Sequence, residues 1–118
     1  LLVPLERQVA EKLHAFTRTY KGGGTTRGRD LVDLLLILKY ERVDETVLKN
    51  VIRRVFDRRA THPAPERLPP PPPDLAVSYR REAEPVGVAS SIEEAYEVLR
   101  VWLDPVLAKV ARTDADNK

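Results

Sequence analysis

Residues 69–73 are five consecutive prolines, and such a run cannot sit inside a helix or a central strand. Each ring fixes φ and removes a backbone N–H, so the run favours a stiff polyproline II arm. It belongs to a longer irregular stretch, T-H-P-A-P-E-R-L-P-P-P-P-P-D, over residues 61–74. On either side of it, apolar residues recur at helical spacing and nowhere in strand alternation. The pattern predicts an all-α fold, about five helices in a small bundle, with a proline-rich strap between them. The strap either lies across the helices or spaces them; the other use of such a run is as a ligand for proline-recognition domains.

The first helix is predicted over residues 4–20. Leu5, Val9, Leu13, Phe16 and Tyr20 make one stripe, Pro4 suits the first turn, and Lys21-Gly22-Gly23-Gly24 stops it. The second, over residues 28–39, carries Leu31, Leu34, Leu35 and Leu38 on one face and Val32, Leu36 and Ile37 on much of the other. Apolarity on two sides marks a central, buried helix. The third starts at Asp44-Glu45, with Val47, Leu48, Val51, Ile52 and Val55 inward and Lys49, Arg53, Arg54 and Arg58 outward. Residues 75–84 form a short amphipathic helix. Ser91-Ile92-Glu93-Glu94 reads as a capping box, with Glu94 reaching back. It opens a last helix that turns Ile92, Ala95, Tyr96, Leu99, Leu103 and Val106 inward, and Pro105 should kink or divide it near Asp104. The chain therefore divides into a three-helix segment (1–60), the strap (61–74), the C-terminal helices (75–112) and a frayed polar tail (113–118), all in one compact domain.

No apolar run approaches the length of a membrane span, no signal-peptide pattern opens the chain, and no membrane partner is expected. The lack of cysteine excludes disulfides and thiolate metal sites and fits a cytoplasmic location. The chain begins at Leu1 and has no methionine, so the expectation is a piece of a longer protein. Its net charge of +2 is unevenly spread. Residues 18–59 hold eleven basic against six acidic side chains, a local +5 that leaves −3 for the rest. A basic middle suits a phosphate-bearing partner, or else is a solvated helix face.

Two charged groups stand against the apolar pattern. On a helical wheel Lys12 falls only about 60° from the centre of the first stripe, so its ammonium emerges at the edge of the buried face. His14 and Arg18 fall on the opposite side. Asp30 has a simple role as a first-turn carboxylate. Asp33, among Val32, Leu36 and Ile37, needs a partner such as Lys12, Arg29 or backbone N–H groups, and that pairing is either structural or catalytic. His14 and His62 are far apart in sequence and suggest no metal site. No Ser-His-Asp arrangement, Walker loop or dinucleotide fingerprint occurs. Gly22-Gly23-Gly24 reads as a flexible link.

The pattern A-x-K-L-x-A-x-x-R over residues 10–18, followed by R-x-R-D-x-x-D-L over residues 27–34, resembles the C-terminal motifs of the AbiEii/AbiGii-type nucleotidyltransferases. These are toxins of type IV toxin–antitoxin and abortive-infection systems. The proline stretch and the closing S-x-x-E-A…W-L-D-P-V-L are similar to the helical tail of such proteins. The resemblance implies the C-terminal half of a polymerase-β-like transferase that moves a nucleotidyl group from an NTP to an acceptor such as an RNA. It implies Lys12 and Asp30 as catalytic residues, with Lys12 on the triphosphate and Asp30 near the attacking hydroxyl or orienting the lysine. Arg18, Arg27 and Arg29 would support phosphate charge, and Asp33 would lock the helix. Magnesium and NTP would be held mainly by a Gly-Ser loop and an Asp-x-Asp pair on another half of the protein. No such Gly-Ser…Asp-x-Asp element is present here, so the chain alone is expected to bind neither and to be inactive. A cognate antitoxin is an implied partner. The alternative is a stand-alone helical module that binds nucleic acid or docks an antitoxin.

Overall fold

The computed structural model describes residues 4–22, 28–60 and 62–116. Five helices follow in order: α1 (Leu5–Gly22), α2 (Gly28–Tyr40), α3 (Glu45–Arg59), α4 (Leu75–Ala83) and α5 (Ile92–Asp116), with a 3₁₀ turn at Glu84–Val86 after α4. No strand occurs among the described residues, and the fold is all-α, as the periodicity predicts.

The two-faced helix is central. α2 packs against α1, α4 and α5, while α3 packs against α1 and α5. Val9, Leu13 and Phe16 of α1 meet Leu31, Leu34 and Leu35 of α2 in one core, which Leu48, Ile52 and Phe56 of α3 and Leu99, Leu103 and Leu107 of α5 complete. Burial of these side chains, at about 1.5–3 kcal/mol each, is the main force holding the helices together.

Local signals set the helix ends. Asp44 caps α3 by accepting the Val47 N–H at 2.9 Å. Its own N–H donates to Glu6 at 3.0 Å, which ties the cap to the first turn of α1. Ala60 ends α3 with φ 51°, a left-handed conformation more often given to glycine. The Ser91 hydroxyl accepts the Glu94 N–H at 3.1 Å, as a cap should, but the carboxylate beside that hydroxyl is Glu93, also at 3.1 Å.

Three expectations are corrected. Val47 is 42% exposed rather than inward, because the buried side of α3 is covered by Leu48, Ile52, Val55 and Phe56. Pro105 does not divide α5, which runs unbroken to Asp116 and takes in most of the supposed tail. Pro105 and Val101, whose carbonyl the missing N–H would have met, both lie on the exposed side of α5.

The strap lies across α5. Leu68 is buried, its N–H donates to the Asp104 carboxylate at 2.8 Å, and its carbonyl accepts the Tyr96 hydroxyl at 3.0 Å. The proline run then delivers the chain to α4, where the Leu75 N–H donates to the Pro72 carbonyl at 3.0 Å. On α4, Tyr79 is fully buried and donates its hydroxyl to the Ala89 carbonyl. Burial, with the Glu94 charge nearby, pushes its phenol up to about 12.

α2 and α4 meet where Gly28 is pressed against backbone. A methyl group there would stand 2.9 Å from the Tyr79 nitrogen and 3.0 Å from its Cα. Gly28→Ala is therefore expected to lower stability by about 1–3 kcal/mol despite alanine's better helix propensity. Urea unfolding that shows no loss would mean α4 gives way freely.

Candidate functional site

The α1–α2 seam carries the charged cluster. Lys12 leaves α1 at the edge of the buried stripe, with a side chain 34% exposed, and reaches over α2. Its Nζ stands 2.7 Å from Asp33 Oδ2 and 3.7 Å from Asp30 Oδ1. Asp30 and Asp33 lie three residues apart, on one face of α2, so a single ammonium can meet both. The burial order differs from the sequence expectation. Asp30, read as a simple first-turn carboxylate, has a side chain only 6% exposed; Asp33, read as the buried one, is 21% exposed. The reason is that α4 packs over the first turn of α2, and the periodicity of α2 gives no notice of that neighbour.

The arginines do not converge on Lys12. Arg29 projects outward, 3.3 Å from Asp33 and 3.5 Å from Glu82 of α4, and so bridges α2 to α4 around the cluster. Arg18 is exposed on the side of α1 turned toward α3, where its charge acts on His14. Arg27 lies outside the described residues.

His14 is the clearest miss. It is 4% exposed rather than on an open face, because α1 is flanked by α3 as well as α2. Its ring packs on Phe56 (centroids 5.0 Å apart) and on His62 (4.6 Å), so His62 of the strap closes over α1 and α3. Thr17, one turn on, donates its hydroxyl to the Leu13 carbonyl at 3.0 Å and meets His62 Nε2 at 2.7 Å. The sequence signal, in hindsight, is the i, i+3 pair His14 and Thr17: two polar groups on one face of α1. The two imidazoles do come together, but among the described residues no three His, Cys, Asp or Glu side chains converge to hold a metal ion.

Burial, then the charges of His62 and Arg59, hold His14 below the ordinary imidazole value of 6.5; Glu11 opposes them. The unfolded chain thus binds a proton near pH 6.5 that the folded chain takes up only at lower pH. Stability from this group is complete above pH 6.5 and is lost as pH falls below it. Urea midpoints measured from pH 7.5 to pH 5 are expected to fall, and His14→Phe is expected to flatten that fall. An identical profile for the variant would clear His14 of the effect.

The chain is, then, a helical module whose distinguishing feature is one lysine clasped by two aspartates across a helix seam. Residues 1–101 match the family model described as Nucleotidyl transferase AbiEii toxin, Type IV TA system, and the chain belongs to that family. The match takes in both charged motifs and ends within α5. No curated protein and no solved structure matches the chain.

Proposed function

We propose that this chain supplies the helical part of a nucleotidyl-transfer site, with Lys12 as its phosphate-contacting cation. The observation that carries this reading is the placement of Lys12 Nζ, 2.7 Å from Asp33 and 3.7 Å from Asp30, on a stem still 34% exposed. The ammonium is fixed from below and open from above. Nucleotidyl transfer forms a bond between an acceptor hydroxyl oxygen and the α-phosphorus and breaks the bond from that phosphorus to the bridging oxygen, releasing pyrophosphate. Charge builds on the phosphate oxygens, and a preorganised cation there lowers the barrier. Asp30 and Asp33 act here as positioning residues, and Arg29 steadies Asp33 from outside. An acceptor such as an RNA and a cognate antitoxin fit the family.

Among the described residues, no three His, Cys, Asp or Glu side chains converge to hold a magnesium ion. Asp30 and Asp33 already face Lys12, and the string Asp114-Ala115-Asp116 lies in the last turn of α5 with no Gly-Ser loop before it. No step is assigned to a metal on this chain, and the nucleotide-bound metal of the family would need carboxylates from elsewhere.

The test is transfer of a labelled nucleotide from NTP to RNA by the protein as it occurs in the cell. Lys12→Met is expected to lower transfer by about 100-fold or more, with Lys12→Arg retaining part of it. Removing the ammonium also leaves two carboxylates facing each other, so Lys12→Met should cost about 1–3 kcal/mol in urea unfolding. Adding Asp30→Asn should recover stability but not transfer. Normal transfer by Lys12→Met overturns the assignment.

A further inference from the structure

We propose that the C-terminal half of α3 is a docking surface for the sugar–phosphate backbone of a single-stranded RNA, separate from the Lys12 cluster. Arg54 and Arg58 are exposed and lie one helical turn apart; Arg53 is half-buried beside them. Arg18 of α1 stands apart from this patch: its charge and that of Arg59 act on His14, which packs on Phe56, about 160° around α3 from Arg54 and Arg58. Among the described residues, no carboxylate lies within ion-pair distance of Arg18, Arg53, Arg54 or Arg58. Arg59, by contrast, is already held by Glu11 at 2.8 Å. Asp57 offsets part of the charge but leaves the patch clearly positive.

The chemistry of the patch selects the partner. Its cations are all arginines, whose planar forks fit phosphate oxygens. The rise of the helix sets Arg54 and Arg58 roughly 6 Å apart along the axis, of the order of the spacing between successive phosphates in a strand. The one large apolar side chain exposed on α3 among the described residues, Val47, lies two turns from Arg54 at the other end of the helix. The surface therefore lacks the apolar core on which protein interfaces depend and the apolar face that a membrane-surface helix inserts. What remains is charge directed at an extended polyanion, which is how backbone contacts bind without reading sequence.

The surface is also on the far side of α1 from the nucleotidyl-transfer reading. Lys12 faces α2, whereas His14 and Arg18 face α3. The inference rests on that reading for its purpose, delivery of an acceptor strand, but not for its existence.

The test is fluorescence anisotropy of a labelled 20-nucleotide polyuridylate with the whole chain, over a series of salt concentrations and without NTP. Three phosphate contacts predict that the logarithm of the binding constant falls with the logarithm of salt at a slope of about −2. Arg54→Ala with Arg58→Ala is expected to weaken binding about 20-fold at 0.1 M salt and to make the slope shallower by about 1.4. Arg80→Ala with Arg81→Ala removes the same charge from α4 and should leave the slope unchanged. The binding measurement contains no NTP and scores no transfer, so failure of the transfer reading and failure of this one are told apart. Circular dichroism of each variant checks its helix content. The proposal is overturned if the chain does not bind the RNA, if the α3 and α4 variants behave alike, or if polyglutamate or phosphatidylserine vesicles bind as tightly as RNA.

Discussion

The ammonium of Lys12 fixes how α1 and α2 face each other, and the remaining helices are arranged around that choice. Leucine and valine side chains would pack acceptably over a range of rotations, since burial has no direction of its own. A charge pair does have direction. With Nζ held 2.7 Å from Asp33, α1 cannot roll without taking its cation away from two carboxylates, one of them almost fully buried. That rotation in turn presents His14 and Thr17 to α3 and Val9, Leu13 and Phe16 to the shared core. Register between helices and readiness of the cluster for chemistry thus follow from one contact.

Much of this was legible in the residues. The two-sided apolarity of α2 marked it as central, Asp44 and Ser91 marked helix starts, and the proline run marked the strap. Lys12 could be placed at a seam from its angle alone. What could not be read was the identity of neighbours. The relative burial of Asp30 and Asp33 depends on α4, which begins over forty residues later and presses its backbone on Gly28. His14 looked exposed because a single wheel knows one buried face, whereas α1 has two. Pro105 looked like a breaker because the rule for helix interiors takes no account of the side the proline occupies, and here Pro105 and Val101 are on the exposed side. The family motifs gave the functional class, which no spacing argument would have reached.

The arginines show how a net charge misleads. Taken as a sum, the basic middle of the chain suited a phosphate-bearing partner or a solvated helix face. Spread over the fold, Arg29 braces the cluster through Glu82, Arg59 is neutralised by Glu11, and Arg18 turns toward α3. Among the described residues, positive charge does not gather at one place.

Leu68 gives the strap a fixed point of unusual economy. Among the described residues, the strap's hydrogen bonds to α5 come from the two backbone groups of this one leucine, above the apolar plug that its side chain forms. Downstream, the Pro72 and Pro73 carbonyls accept the first N–H groups of α4, so only a change of length among Pro69, Pro70 and Pro71 leaves those bonds alone and alters how far the arm extends. Length is therefore free to drift among those three rings, while the leucine itself has no such freedom.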